Sequence, residues 1–509
     1  MLAKVHSVTL SGIEAIECEV EVDVSSRGFS GASIVGLPDA AVKESIDRIK
    51  AALVNCGYKF PKHRSLVNLA PADVRKEGPA FDLPISLGLL VGDGQMVCPK
   101  LKEYLIVGEL ALDGRVRPVR GVLSIAMLAA GKGYRGVVVP RQNVAEAAVV
   151  EEIEAIGVGN FTEAVGFLAE KLPLEPMRVD VEKLFDQVSE HELDFADVKG
   201  QEHAKRAMII AAAGGHNVLM IGVPGAGKTM LSQRLPSILP PLTLEESLQT
   251  TQIYSSVGLL NSGQSLIGTR PVRTPHHSAS PVALVGGGSS PQPGEVSLAH
   301  NGVLFLDEMP EFTRSTLEMI RQPLEDGRVT IARAQSSMTF PARFMLIGAM
   351  NPCPCGYYGH PRKRCRCTPG QIEKYVNKIS GPLMDRIDIH LEVPPVDLDR
   401  LRSSQTGETS ASMRDRVLRA RAIQADRFPG KNGMANARMT TRQVRKHCQL
   451  DANCEAILRH AVQELGLSAR AHDKILRVAR TIADLDESEP IKTEHLAEAI
   501  QYRRLDRAL

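Results

Sequence analysis

Tryptophan is absent from the 509 residues, and aromatic side chains of all kinds make up 4%. Aromatic platforms that stack on bases are therefore not the expected device for any nucleic-acid contact. Net charge is also lacking. Sixty-one Lys and Arg against 59 Asp and Glu leave +2, so a basic binding surface would have to be local. No apolar run approaches the roughly 18–20 residues that a membrane span needs. The opening segment, MLAKVHSVTLSGIEAIECEVEV, has no continuous apolar core of the kind a cleaved secretory signal carries. Nine cysteines are too few for a secreted disulfide scaffold. These absences together set the expectation of a reducing, cytoplasmic setting with no membrane partner. What remains is ordinary globular composition, 43% hydrophobic and 24% charged, long enough for roughly two to four domains.

The hydrophobic pattern divides the chain. Residues 16–24, IECEVEVDV, alternate acids with apolar residues, which predicts a half-buried strand. Val42, Ile46, Ile49, Leu53 and Cys56 fall at helical spacing before Gly57. DLPISLGLLVG (82–92) and GVLSIAMLAAG (121–131) read as buried helices, and GVVVP (136–140) as a strand. Residues 1–170 thus form a self-contained α/β domain, and 171–197, acidic and without periodicity, read as a linker. From 198 to 395, strands NVLMIG, VLFLD, RFMLIGAMN and HLEV alternate with helices, which predicts a parallel sheet covered on both faces. Residues 396–509 read as an all-α lid.

Residues 222–229, GVPGAGKT, fill the pattern of a phosphate-binding loop, with a strand before and a helix after. Glycines let successive backbone N–H groups face phosphate oxygens, and the helix N-terminus adds positive potential. Gly222, Val223, Pro224, Gly225, Ala226, Gly227, Lys228 and Thr229 are therefore the expected ATP-binding residues. Lys228 would reach the β- and γ-phosphates, and Thr229 would hold Mg²⁺. VLFLDE ends a buried strand in two acids. Asp307 is assigned to Mg²⁺ and Glu308 to polarising the attacking water. Asn351 ends the next strand and can orient that water or touch the γ-phosphate.

At this point the chain resembles AAA+ ATPases, in which the residue matching Asn351 is called sensor 1. GPLMDRID (381–388) is similar to the segment bearing that family's arginine finger, at Arg386, which acts in trans on the transferring phosphoryl group. Ser468–Arg470 resembles sensor 2, with Arg470 as its γ-phosphate contact. A hairpin pattern before Asn351 and a long insertion at 250–300 mark the branch that holds magnesium chelatase motor subunits and MCM replicative helicases. VTIARA resembles the pore hairpin of the latter, which makes Arg333 the expected DNA contact. Longer runs resemble the YifB/ComM family nearly end to end. They include GFSGASIVGLPDAAVKES, NLAPADVRKEGPAFDLPI, RTPHHSASPVALVGGG and ISGPLMDRIDIHLEVP. That resemblance implies a homo-hexameric ATP-dependent helicase moving on DNA independently of sequence, promoting branch migration in recombination and natural transformation. A chelatase-like motor that remodels a protein partner is the rival reading.

An ATP-dependent protease is a third reading. Residues 1–170 resemble the Lon protease domain, an S5-like fold, whose chemistry needs a serine nucleophile and a lysine base. The matching positions are Ala80 and Leu123, so the peptidase dyad is missing, and a binding and assembly role is expected.

Four of the cysteines, Cys353, Cys355, Cys365 and Cys367, form two close pairs around a loop, a set suited to tetrahedral Zn²⁺. Arg362, Lys363, Arg364 and Arg366 surround the second pair. They would stabilise the doubly negative centre or contact DNA phosphates. His276 and His277 have no partner at metal spacing and read as loop histidines.

Overall fold

A computed structural model describes residues 2–25, 31–181, 192–261, 263–288, 290–332, 337–395, 407–430 and 433–507. The chain clusters into two units, Met1–Gln187 with Leu248–Ile267, and Val188–Ser247 with Gly268–Leu509. Among the described residues no helix is long and apolar enough to cross a membrane.

The first unit is a mixed α/β fold. β1 (Leu2–Ser11) and β2 (Glu14–Val24) form an antiparallel hairpin. β3 (Gly31–Val35) and β4 (Arg64–Ala70) complete a sheet of order β1-β2-β4-β3. The alternation in β2 works as its pattern predicts: Cys18, Val20, Val22 and Val24 are buried while the acids between them are not. Helix α1 (Ser45–Asn55) and the apolar α2 (Asp82–Gly92) pack on this sheet. The helix expected from the spacing of Val42 to Cys56 is interrupted at Glu44, which separates a first turn, Ala40–Lys43, from α1. Asp82, wholly buried, is neutralised by two bonds from Arg48 at 2.9 and 3.0 Å. A second sheet is parallel, β5 (Tyr104–Ile106), β6 (Gly136–Pro140) and β7 (Glu154–Val158), with α3 (Val122–Lys132) against it.

Leu248–Ile267 comes from the middle of the predicted ATPase core, yet it belongs to this first unit. The reason is chemical. The Ser255 hydroxyl donates to the buried carboxylate of Glu146, the Gly121 amide donates to the Ser255 carbonyl (3.2 Å), and Leu266 joins the core with Leu123 and Val137. Glu146, its pKa raised by burial, also accepts the Leu123 amide at 2.7 Å. Ala80, matched by the resemblance to the Lon serine, lies in a short turn, and Leu123, matched to the lysine, is fully buried.

The second unit contains a parallel five-stranded sheet. α4 (Glu202–Gly214) leads to β8 (Val218–Ile221), and the phosphate-loop helix is α5 (Lys228–Arg234). β9 (Val272–Arg273), β10 (Val303–Leu306), β11 and β12 (the hairpin Arg328–Ala332 and Ser337–Pro341), β13 (Met345–Met350) and β14 (Ile389–Glu392) follow. The sheet order is β9-β10-β13-β8-β14. All residues of β8, β10 and β13 are buried, as strands covered on both faces must be. Helices α6 (Ser410–Arg427), α7 (Thr441–His447), α8 (Ala452–Leu465), α9 (Ala469–Leu485) and α10 (Thr493–Gln501) form the lid. Thr409 caps α6 by accepting the Ser412 amide, which sets where the first lid helix begins.

Acid should weaken this second unit. His300 is buried and its Nδ1 accepts the Arg343 amide at 3.0 Å, which requires a neutral ring nitrogen there. Burial, then the charges of Arg438 and Arg343, push its pKa down to about 3. The unfolded chain, titrating near pH 6.5, therefore takes up the proton first. Stability is complete above pH 6.5 and falls below it by roughly 1.4 kcal/mol per pH unit. Buried His216, also lowered by desolvation, adds in the same direction. Denaturant titrations between pH 7.5 and 5 should show this loss. His300→Gln should remove about 2 kcal/mol of it; an unchanged slope would contradict the assignment.

Candidate nucleotide-hydrolysis site and thiolate cluster

Three parallel strands deliver the candidate residues to one end of the sheet, where ligands of open α/β folds bind. Gly222 leaves β8, Asp307 leaves β10 and Asn351 leaves β13. In the phosphate loop, Gly225 (φ 81°) and Gly227 (φ 94°) hold left-handed conformations, and a Cβ on either would meet nothing within 4 Å. That open, amide-lined hollow fits a phosphate group. The Lys228 ammonium donates to Gly222 O (2.6 Å), Val223 O (3.2 Å) and Asn351 Oδ1 (3.1 Å). Burial lowers its pKa, opposed by the charges of Asp307 and Glu308. Thr229 donates its hydroxyl to Asp307 Oδ2 at 2.9 Å, so the two oxygens assigned to Mg²⁺ already meet. The donor set suits a hard cation that keeps waters and shares phosphate oxygens.

Glu308 sits beside Asp307 with a left-handed backbone, φ 48°. Its amide donates to Asp307 Oδ1 at 2.9 Å. Its carboxylate is exposed and lies 3.6 Å from His277 Nδ1. The sequence marks His277 only as a loop residue; the fold sets it beside Glu308, the acid assigned to polarising water. His276 meets that expectation, with Nδ1 2.8 Å from Ser278 Oγ.

The two arginines assigned to the transferring phosphoryl group, Arg386 in trans and Arg470 at the γ-phosphate, share one acidic partner here. Arg386 pairs with Glu325 Oε1 at 2.5 Å, and Arg470 reaches the same oxygen at 3.8 Å. Arg386 is largely buried and Arg470 is exposed. Glu325 was not singled out in the sequence, and no local pattern marks it. Arg333 lies outside the described residues. The hairpin that leads to it is formed, with Arg328 opposite Pro341 and Ala332 opposite Ser337.

The four thiols converge. Cys353 Sγ lies 3.4 Å from Cys355 Sγ and 3.7 Å from Cys365 Sγ, and Cys355 and Cys365 are 3.6 Å apart. All four sulfurs fall within 4.8 Å of one another. Tetrahedral Zn–S bonds would space sulfurs by about 3.8 Å, so Cys353, Cys355, Cys365 and Cys367 fit zinc. Amides stabilise thiolate: Arg366 and Tyr357 donate to Cys355 and bring it down to about 6. The cluster also touches the nucleotide site. A Cβ on Gly356 would come 2.7 Å from Pro224 Cγ and 4.0 Å from Asn351 Cγ, so the cysteine loop buttresses the phosphate loop.

A phosphate loop, paired Mg²⁺ oxygens, an acid beside them and an asparagine on the neighbouring strand, under a helical lid, define an AAA+ P-loop ATPase. Comparison with known proteins narrows the class. Residues 194–401 match the family model "Magnesium chelatase, subunit ChlI", 20–143 match "Subunit ChlI of Mg-chelatase", and 407–503 match "Magnesium chelatase, subunit ChlI C-terminal". The chain is 45% identical over 515 residues to competence protein ComM of Haemophilus influenzae, covering 100% of this chain and 98% of that protein. It is 44% and 43% identical over 510 residues to YifB of Escherichia coli and of Salmonella typhimurium, at the same coverage. The chain belongs to the YifB/ComM family of magnesium-chelatase-like AAA+ ATPases.

Two outcomes test the site. Lys228→Ala should abolish ATP binding. Glu308→Gln should bind ATP yet turn over slower by on the order of 10²–10⁴-fold, because an amide is no general base; full turnover by that variant would remove Glu308 from the role. For the thiols, metal analysis of protein purified without an affinity metal should find one zinc per chain. Cys365→Ser should lose it and, through the Gly356 contact, weaken ATP binding severalfold. Stoichiometric zinc in Cys365→Ser would exclude Cys365 as a ligand.

Proposed function

We propose that the protein is a homo-hexameric ATP-driven motor on DNA, working in the cytoplasm. It acts on forks or junctions without regard to sequence and drives branch migration during recombination and natural transformation. The observation that carries this reading is the continuity between the hairpin and the hydrolysis site. β12 ends at Pro341, β13 begins at Met345, and β13 delivers Asn351, whose side chain holds Lys228. A change at the γ-phosphate would move Asn351 and β13, and with them the root of the hairpin that bears Arg333. Arginine at a pore would grip phosphates, which carry no sequence information, and such binding weakens steeply with salt. A relative whose name is competence protein, matched over its length, supports the same reading.

Within this proposal Arg386 acts in trans on a neighbouring subunit's nucleotide, and Arg470 contacts the γ-phosphate. Glu325, which holds both, would have to release them on assembly. ATP and Mg²⁺ are bound by Gly222–Thr229 and Asp307. Zinc, where bound, supplies a structural crosslink through its four thiolates, with no part in hydrolysis.

A second reading rests on the chelatase models that match three stretches: a motor that remodels a protein partner. One experiment separates them. On four-way and forked DNA the protein should form hexamers with ATP, hydrolyse ATP faster, and migrate the junction; a non-hydrolysable analogue should not support migration. Arg333→Ala should keep basal hydrolysis and lose DNA stimulation. Hydrolysis indifferent to every DNA, with no migration, would favour the protein-remodelling reading.

A further inference from the structure

At the opposite end of the ATPase sheet from the nucleotide site lies a small, open cleft of about 50 Å³. Its lining comes from separated stretches of the second unit: Arg270 before β9, Gly302 before β10, Arg343 before β13, Arg421 in α6, and Arg438 in the lid. Gly302 and Asp307 bracket β10, so the cleft and the Mg²⁺ oxygens are separated by about 15 Å of strand. The two sites are distinct.

The charge in this cleft does not balance. Glu246 is the one carboxylate in the lining. Arg270 engages it at 2.7 and 3.3 Å and also donates to the Asn301 and Pro240 carbonyls at 2.7 Å. Among the described residues, Arg343, Arg421 and Arg438 make no ion pair. The Nε of Arg421 is buried without a hydrogen-bond partner. Neighbouring His300 stays neutral, so it adds no further positive charge. Three further guanidinium groups therefore share a single carboxylate that Arg270 already engages, an excess of like charge that is costly where it is partly buried. Burial and mutual repulsion pull Arg421 down to about 9 and Arg438 to about 10, unusual values for guanidinium. Arg343 and Arg438 nevertheless stay open to solvent and Arg421 partly so, so a ligand can reach all three. Planar forks converging from several directions match tetrahedral oxyanions, each able to accept several N–H bonds.

We infer that this cleft is a second anion site, which binds one or two phosphate groups of a phosphate-bearing ligand through Arg343, Arg421 and Arg438. Arg270, held by Glu246, forms its wall. The site is independent of the DNA-motor reading and of the nucleotide loop.

The test uses the full chain carrying Lys228→Ala, without Mg²⁺, so that the nucleotide loop does not compete. Calorimetric titration with inorganic tripolyphosphate should show one site per chain. Arg421→Gln and Arg343→Gln should each weaken it at least tenfold, and Arg421→Lys should weaken it less than Arg421→Gln. In anion-free buffer Arg421→Gln should melt at a higher temperature than its parent, because an uncompensated charge has gone. Tripolyphosphate should raise the melting temperature of the parent but not of Arg421→Gln. A short single-stranded oligonucleotide that displaces tripolyphosphate would assign the phosphates to a nucleic-acid backbone; one that does not would assign them to a small free polyphosphate. No binding, or binding unchanged by both glutamine variants, overturns the site. Destabilisation by Arg421→Gln in anion-free buffer also overturns it, since Arg421 would then be a structural prop.

Discussion

One buried carboxylate ties the second unit together. Asp388 accepts the Asn217 amide at 2.9 Å and the Lys474 ammonium at 2.6 Å, and its Oδ2 lies 3.7 Å from His216 Nδ1. Asn217 begins the strand that feeds the phosphate loop, Asp388 ends the segment bearing Arg386, and Lys474 belongs to the lid helix that opens with Arg470. Burial alone would raise the carboxyl, but Lys474 and His216 hold it well below the usual carboxylate range. Removing one partner of such a buried pair leaves the other charge uncompensated, at a cost of about 3–5 kcal/mol. The base of the sheet, the arginine segment and the lid are thereby held in one register.

With that register fixed, the site is held ready by substitutes. Lys228 rests on loop carbonyls and on Asn351, and Thr229 on Asp307. Arg386 and Arg470 rest on Glu325. Each of these groups therefore has a protein partner in this structure. The cysteine loop is pressed against Pro224 from one side, which limits how far the phosphate loop can relax.

Much of this was legible before any coordinates. The phosphate loop, the Asp307–Glu308 strand end and the paired cysteines are local patterns whose chemistry depends on spacing, and spacing is visible in a sequence. The alternation in β2 and the unbroken apolar runs of β8, β10 and β13 set burial in the same way. What stayed hidden was tertiary. His277 meets Glu308, and Glu325 meets two arginines, through contacts between distant stretches that carry no periodic signal. Arg343, Arg421 and Arg438 are individually unremarkable in a chain with 61 basic residues; only the fold makes them a cluster. Ser255 and Leu266 read as part of a core insertion, because nothing local shows that Glu146 and Leu123 are their neighbours.

That excursion alters what the two units are. The chain passes between them at three places, near 187, 247 and 267, so neither unit is a continuous stretch of gene. A fragment ending at 187 would leave Glu146 buried without the Ser255 hydroxyl and the Val137–Leu123 core without Leu266. During synthesis the first unit cannot finish folding until the ribosome has already delivered the phosphate loop. A cut at 187 would therefore not release the first unit whole, because part of its core is encoded beyond the phosphate loop.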